Sequence, residues 1–343
     1  VSIANASVSL SEAVSVQRLH LNGVVTLSGE PVTITGTIFS NFHTYSGGTY
    51  TFNNKLTLAN GTSEGDATFS CRYIQGTIYF NGGFVSTASE RLTLNGGPVI
   101  HFAKVPAVFS RLCVPKATLH FDVAGNQLNR LELSGDAVVH VNVDDPWGNF
   151  AWNDYFLMGN GARLLLHGHR ASVYPTAILG QESGYSSDCS IETEDDKPAM
   201  FVVNAQQTPG NSIRVNKGLD MRGPVTFTLA ATSSQTLQWN RSVSLSGDVN
   251  VEGGTLELLS DAKLPNVNSV RISGSGKMLL SKRSLTRHCS VYVDSISDLQ
   301  IAEGVVQRVD ALFVNGVRQP DGEYACGAGK MFVRAGSRTA SST

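Results

Sequence analysis

The chain has 343 residues, and its 26 basic and 28 acidic side chains give a formal net charge of −2. This balance excludes the extended positive field that nucleic-acid binding requires. No apolar run approaches the roughly 20 residues needed to cross a bilayer, so no membrane span is predicted. Charged residues make up only 16% of a chain with 34 glycines. Because such a composition is typical of secreted β-proteins, we expect an extracellular protein, either secreted or held at a cell surface.

Short segments of alternating apolar residues, each closed by Gly, Asn or Asp, recur from the N-terminus onward. This period of two predicts β-strands and not helices. No stretch has the pattern of a long amphipathic helix. The clearest of these segments are VVTLSG (24–29), VTITG (32–36), KLTLANG (55–61), RLTLNGG (91–97), RLELSG (130–135), SVSLSGDVNVEGG (242–254), SVRISGSG (269–276) and ALFVNG (311–316).

The irregular recurrence of these strands predicts an all-β fold, a single right-handed parallel β-helix of about a dozen coils. Three strands with their turns make a coil of roughly 20–30 residues. A meandering sandwich fits less well, because no long strand pairs joined by Asn-Gly recur as hairpins. We predict one solenoid domain over 1–335 and a linker-like tail over 336–343. Such a tail leads us to expect a further domain beyond it.

The aromatic side chains of the first third alternate along strands and loops, which predicts core positions or stacks between coils. Trp239 shares a strand face with Leu237, and we expect it to be packed in the core. The aromatic residues of the first third are Tyr45, Tyr50, Phe52, Tyr73, Tyr79, Phe80 and Phe84.

The segment VVHVNVDDPWGNFAWNDY (138–155) departs most clearly from this scaffold. It begins as a strand and continues as a polar and aromatic loop that carries two of the three tryptophans. Long loops on a rigid scaffold often bind ligands. Flat aromatic rings beside carboxylates and amides suit a sugar, although packing of these rings onto the core is the alternative. The predicted carbohydrate-binding residues are Trp147, Trp152 and Tyr155 for stacking and Asp144, Asp145, Asn149, Asn153 and Asp154 for hydrogen bonds.

A second polar insertion, 174–198, carries the acidic residues Glu192, Glu194, Asp195 and Asp196. If coils stack in order, this insertion and the tryptophan loop leave neighbouring coils and line one groove. The pairs Asp144–Asp145 and Asp195–Asp196 suggest either an acid/base pair or calcium ligands. Solvated turn residues are the alternative, and adjacent strand residues point to opposite faces. We therefore predict no catalytic residues.

His167 and His169 differ by two positions, which places both on one face of a predicted strand. They suggest a two-histidine metal site or part of a lyase site, although no third ligand is evident and an ordinary surface strand is the alternative. The other histidines, at 20, 43, 101, 120, 140 and 288, look scattered and predict no catalytic triad.

Five cysteines occur without a CxxC pair, so neither a zinc site nor any cofactor is predicted. Their odd number leaves at least one thiol unpaired, and several are expected to be buried as free thiols. The sequence leaves open whether disulfides form. These cysteines are Cys71, Cys113, Cys189, Cys289 and Cys326.

Two segments, SGGTYTFNNKLTLANGT (46–62) and SLSGDVNVEGGTLELLSDA (244–262), resemble the repeats of autotransporter-like β-helices. Residues 309–336 resemble the closing coil of such extracellular proteins. Together with the tryptophan loop and the linker-like tail, the chain resembles the β-helical carbohydrate-binding modules appended to bacterial xylanases. This resemblance implies non-catalytic binding of xylan-type plant polysaccharide and a covalently linked catalytic domain as partner. A polysaccharide lyase or glycoside hydrolase and a surface adhesin are the alternative functions.

Overall fold

A computed structural model of the chain describes residues 1–334 apart from internal gaps. The residues outside the description are 40–47, 59–67, 71–75, 87–91, 96, 98, 110–111, 129, 134, 145–154, 159–161, 174–175, 180–188, 194–196, 204–212, 216–218, 232–235, 240–241 and 335–343. Both predicted insertions and the C-terminal tail therefore lie wholly or largely outside the described residues.

Almost all regular structure in the described residues is β-strand, as the alternating pattern predicts. The N-terminal strands are β1 (Ser2–Leu10), β2 (Val14–Gly29), β3 (Val32–Phe39), β4 (Thr49–Phe52), β5 (Leu56–Leu58), β6 (Thr68–Ser70), β7 (Thr77–Phe80), β8 (Phe84–Ser86), β9 (Leu92–Asn95) and β10 (Val99–Phe102). The central strands are β11 (Val108–Phe109), β12 (Leu112–Val114), β13 (Thr118–Phe121), β14 (Gln127–Leu128), β15 (Arg130–Leu133), β16 (Val138–Val141), β17 (Tyr155–Met158), β18 (Arg163–Leu165), β19 (Arg170–Val173), β20 (Thr176–Leu179), β21 (Cys189–Glu192), β22 (Ala199–Val203), β23 (Ile213–Val215) and β24 (Leu219–Arg222).

The C-terminal part continues in the same way. Its strands are β25 (Val225–Ala230), β26 (Thr236–Trp239), β27 (Asp248–Gly253), β28 (Thr255–Leu258), β29 (Ser269–Ile272), β30 (Lys277–Leu280), β31 (Ser290–Val293), β32 (Leu299–Ile301), β33 (Val306–Val309), β34 (Ala311–Val314), β35 (Val317–Arg318), β36 (Gly322–Cys326) and β37 (Gly329–Val333). The helical structure found in the described part of the chain is a 3₁₀ turn, Ile296–Asp298. Among the described residues, no helix has the length and apolar character needed to pass through a membrane.

The strands stack in parallel register to form a β-solenoid of about 10 turns, which confirms the predicted fold class. The handedness of the solenoid stays a prediction. As far as β24, coils contribute strands to three faces, as the sequence predicts, and among the described residues the strand pairing of the first face ends there. The first face runs through β1, β2, β4, β7, β10, β13, β16, β18, β21 and β24.

The second and third faces follow the first within each coil. The second face contains β3, β5, β8, β11 and β14, and then β19, β22, β25, β27, β29, β31 and β34. The third face runs from β6 through β9, β12, β15, β17, β20, β23, β26, β28 and β30 to β32. Within the described ranges, the second face has no strand between β14 and β19. The segment 145–154, which carries both loop tryptophans, falls at that place in the sequence.

Alternation buries every second residue of a strand in a central apolar column. On the first face, Phe52, Phe80, Phe102 and Phe121 are register partners in successive coils. Their rings stack with centroids 5.2–5.6 Å apart, and each ring is 2% exposed or less. Because such rings bury a large apolar area, this stack holds consecutive coils in register.

The aromatic residues expected in the core or in stacks between coils are found in one or the other wherever the structure describes them, and Tyr79 stacks on His101 outside the core. Tyr50, Phe52, Phe80 and Phe84 are buried, and Trp239 is 0% exposed. The cysteines at 113, 289 and 326 are buried as well. Burial raises the pKa of Cys289 to about 12, so this thiol stays protonated at physiological pH.

The C-terminal end of the solenoid is closed by antiparallel pairing, in contrast to the parallel coils. Strand β34 pairs with β35, and β36 pairs with β37. Strand β37 also pairs in parallel with β33, which joins this hairpin to the last coil. The segment that resembles a closing coil therefore contains both antiparallel pairs.

Candidate functional site

A row of aromatic and imidazole rings runs along the outside of the first face. It consists of Tyr79, His101, His120, His140 and His167, and we call it the ring ladder. Each of the first four residues is the third residue of a four-residue strand, in TIYF, VIHF, TLHF and VVHV. The second and fourth residues of these strands point into the core, so the third residue must point outward.

Parallel register places these outward rings directly above one another. Tyr79 pairs with His101, His101 with His120, and His120 with His140. The ring centroids are 4.8, 4.3 and 4.2 Å apart, and the planes of neighbouring rings differ by 5–17°. Because the ring faces cover one another, the ladder exposes ring edges and not faces. Those edges carry the tyrosine hydroxyl and the imidazole nitrogens.

His167 supplies the last ring, although the sequence predicted a different position for it. The strand that was predicted to carry both His167 and His169 ends at Leu165, and His167 lies in a turn with φ +46°. The register partner of His140 is Leu165, which is fully buried, and His167 stacks on His140 instead at 5.0 Å. The prediction that His167 and His169 share one strand face is therefore wrong, because His167 and Gly168 both have positive φ and form a turn.

Asp122 anchors the middle of the ladder. The Nδ1–H of His101 donates to Asp122 Oδ2 at 2.8 Å, and the Asn142 amide donates to Asp122 Oδ1 at 2.6 Å. The same Asn142 nitrogen lies 3.3 Å from His120 Nδ1. Burial opposes ionisation of this carboxyl, but the hydrogen bonds from His101 and Asn142 outweigh it and keep the pKa of Asp122 below its ordinary value. Asp122 is therefore a carboxylate at neutral pH.

The imidazoles at the centre of the ladder are held neutral. Burial, followed by the neighbouring histidines and Arg163, lowers the pKa of His140 to about 4. Burial and the nearby His101 also lower the pKa of His120. The 2.7 Å contact between His140 Nδ1 and His167 Nε2 requires one ring to donate and the other to accept. A neutral imidazole offers one donor and one acceptor, so the central rings of His120 and His140 are polar but uncharged at neutral pH.

The first face becomes charged beyond the ladder. Arg163 Nε donates to Glu192 Oε1 at 2.6 Å, and the Ser190 hydroxyl donates to the same oxygen at 3.0 Å. One coil further, Arg222 Nε donates to Asp220 Oδ2 at 2.7 Å. Positive and negative groups are paired along this stretch, so it gives the first face no net field of one sign.

The predicted loop site is described only at its two ends. Asp144 is exposed, accepts a hydrogen bond from the Arg170 backbone N–H at 2.8 Å, and lies 3.4 Å from His169 Nδ1. Tyr155 begins strand β17 of the third face. The other predicted binding residues lie outside the described residues, namely Asp145, Trp147, Asn149, Trp152, Asn153 and Asp154. Asp144 follows His140 by four residues, so the loop starts in the coil that carries His140.

Sequence reasoning treated His101, His120 and His140 as scattered, and the structure contradicts this. The three residues lie about one coil apart in sequence but in adjacent coils in space. A signal was present, because VIHF, TLHF and VVHV align with histidine in the third position. A search for local motifs misses this signal. The ladder becomes visible when the short strands are aligned with one another.

The described residues contain one other outward ring stack, on the second face. The rings of Tyr292 and Phe313 stack at 4.5 Å, and the Arg271 guanidinium lies 4.6 Å from the Tyr292 ring centroid. This stack contains no imidazole or carboxylate. It therefore offers a matched surface for comparison with the ring ladder.

Comparison of the chain with protein-family models, with curated proteins and with solved structures finds no match.

Proposed function

We propose that this chain is an extracellular, non-catalytic carbohydrate-binding module that binds neutral plant cell-wall polysaccharide, with xylan as the first candidate. In this proposal it targets a covalently attached glycoside hydrolase to its substrate. The observation that carries the proposal is the ring ladder, a straight strip of outward polar edges along consecutive coils. Neighbouring strands of a sheet lie about 4.8 Å apart, a spacing comparable with the length of one sugar unit in an extended chain.

The chemistry of the strip suits hydroxyl groups. Nδ1 of His101, His120 and His140 already faces a polar neighbour, and the second nitrogen of each ring is proposed to hydrogen-bond a sugar hydroxyl. Asp122 and Asn142 add a carboxylate oxygen and an amide beside the rings. Each hydrogen bond contributes only about 0.5–1.5 kcal/mol net, because water competes for the same groups. An extended ligand that spans several coils is therefore needed for useful affinity.

The tryptophan loop is proposed to provide the apolar half of the site. Ladder rings stack on one another, so their faces are not available to a sugar ring. Trp147, Trp152 and Tyr155 are the proposed stacking residues, with Asp144 and the loop amides as hydrogen-bonding partners. Asp144 contacts His169 and Arg170 of the next coil, which supports a position of this loop near the end of the ladder.

Neutral polysaccharide is favoured over uronate-rich chains. The described charges beside the ladder are paired, as in Arg163–Glu192 and Arg222–Asp220, and the central histidines are uncharged at neutral pH. Binding is therefore expected to depend little on ionic strength, because these described cations are already paired with carboxylates of the protein.

The first prediction tests the proposed function directly. Affinity electrophoresis through gels that contain xylan, glucan, pectin or alginate should show retardation by xylan at both low and high salt. Assays for reducing ends and for unsaturated uronates, run on the same samples, should detect no product. Absence of retardation by every polysaccharide contradicts the proposal, as does retardation by pectin or alginate that salt abolishes.

A polysaccharide lyase or hydrolase is the second candidate, and one observation favours it. His101 donates to Asp122 at 2.8 Å, and this arrangement orients an imidazole as a general base. The neutral His120 ring stacks on His101 and could accept or supply a second proton. Product release that His101→Ala abolishes would establish this candidate in place of the binding module.

A further inference from the structure

Three side chains of the ring ladder gather potential metal-ligating atoms on the surface of the first face. His101 and His120 occupy paired register positions in adjacent coils, and Asp122 follows His120 by two residues. One ligand atom from each of these residues lies within 4.8 Å of the others. All three side chains are partly exposed, so an ion has access from solvent.

From this arrangement we infer that His101, His120 and Asp122 form a binding site for one divalent transition-metal ion of the zinc class. Two imidazole nitrogens and one carboxylate oxygen are a donor set suited to zinc, cobalt, nickel or copper. Calcium and magnesium are disfavoured, because both prefer sites built from oxygen atoms. The three protein ligands leave a coordination position open toward solvent.

The hydrogen bonds at the site already orient the ligand atoms. His101 Nδ1–H donates to Asp122 Oδ2 across 2.8 Å, and a cation bound between these two atoms would displace that proton, leaving the imidazole neutral with its proton on Nε2. Asn142 donates to the other carboxylate oxygen at 2.6 Å and so fixes the carboxylate from the next coil. Partners of this kind, outside the coordination sphere, commonly affect metal affinity about 10- to 100-fold.

Binding requires one adjustment within the ladder. The rings of His101 and His120 are 4.3 Å apart and differ by only 11° in plane, so their nitrogen lone pairs do not converge on one point. A tetrahedral zinc ion, with bonds of about 2.0–2.1 Å, holds its ligand atoms about 3.3 Å apart. One imidazole must therefore turn out of the stack when the ion binds, and both rings are partly exposed to solvent.

The ladder contains no equivalent set of ligands elsewhere among the described residues. His140 and His167 contact each other, and His169 pairs with Asp144. In neither case does a third ligand complete a cluster in the part of the chain that the structure describes. We therefore expect one ion per chain at this face.

The second prediction is tested with the metal alone. Zinc chloride titrated into the untagged, EDTA-treated and dialysed 343-residue chain should give a calorimetric isotherm with one ion per chain. Cobalt(II) should give visible absorption bands at the same stoichiometry. In His120→Gln, affinity should fall about 100-fold or more, since one of three protein ligands is lost. His288→Gln, which removes an exposed histidine outside the ladder, is the matched control and should bind like the wild type.

Circular dichroism of each variant shows whether the solenoid is intact. If His120→Gln is unfolded, the zinc affinity of Asp122→Asn tests the loss of a ligand in its place. Sub-stoichiometric zinc binding overturns the inference, and so does equal affinity in the wild type, the ligand variants and His288→Gln. Because the titration contains no polysaccharide, its outcome is independent of the proposed carbohydrate function.

Discussion

Burial and mutual contact change the chemistry of the ladder histidines at the scale of single residues. His140 has a pKa of about 4, whereas a histidine in an unfolded chain has a pKa near 6.5. The neutral form is thus favoured in the folded state, and protonation favours unfolding. His140 therefore contributes most to stability above pH ~6.5, and this contribution is lost as the pH falls from 6.5 towards 4.

The third prediction follows from that shift. In EDTA, the urea midpoint of the wild type should decrease as the pH is lowered from about 7 to about 5. In this range His140 takes up a proton in the unfolded chain but stays neutral in the folded protein. In His140→Gln the decrease should be smaller, because this proton linkage is removed while a polar side chain remains. Urea denaturation of both proteins across this range measures the difference. Equal pH slopes in the two proteins would contradict the low pKa of His140.

At the scale of the strand and its turns, close contact between coils restricts which residues the chain tolerates. A Cβ added to Gly276, just before β30, would lie 2.0 Å from the Val251 carbonyl oxygen of the preceding coil. At Gly304, with φ +74°, an added Cβ would meet no atom within 4 Å. The two glycines therefore separate the effect of coil contact from the effect of backbone conformation.

The fourth prediction compares these glycines. Gly276→Ala should lower the free energy of unfolding by about 2–4 kcal/mol, because the backbone oxygen cannot move without shifting a coil. Gly304→Ala should cost only about 1 kcal/mol, the strain of a left-handed alanine. Chemical denaturation of the two variants measures both values. A larger loss at Gly304 than at Gly276 would contradict the described packing.

The strands themselves were predictable from sequence, because alternation and turn residues are local signals. The segments 32–36, 91–97 and 269–276 all contain strands, namely parts of β3, β9 and β29. The ring ladder was not found, because contact between His101 and His120 depends on the register of two coils. A change of one residue in register would turn either side chain into the core. The turn at His167 was also missed, because a non-glycine residue with positive φ is uncommon.

At the scale of the whole molecule, the solenoid repeats one type of contact along its axis. Each coil packs on its two neighbours, so the stabilising contacts and the outward side chains both repeat along the solenoid axis. The ring ladder uses this property, since it aligns five side chains that are up to 88 residues apart, from 79 to 167. An elongated ligand matches such a surface better than a compact one. An extended polymer therefore stays the proposed ligand, and the tryptophan loop stays a predicted part of the site.

The fifth prediction, on ligand position, tests the central claim of polysaccharide binding at the ladder. Calorimetric titration with xylo-oligosaccharides of increasing length, in EDTA, should show affinity that rises until the ligand spans the ladder. Tyr79→Ala and His140→Gln should each weaken binding about 5- to 10-fold, the loss of about one hydrogen bond or slightly more. Trp147→Ala and Trp152→Ala should weaken it further, because stacking removes more apolar surface from water.

Tyr292→Ala is the matched control, since it removes an outward stacked ring from the second face. The most direct single measurement is the ratio of xylo-oligosaccharide affinities in folded His140→Gln and folded Tyr292→Ala. The ladder account predicts weaker binding in His140→Gln and wild-type binding in Tyr292→Ala. Equal affinities in the two variants, or a loss confined to Tyr292→Ala, would contradict it.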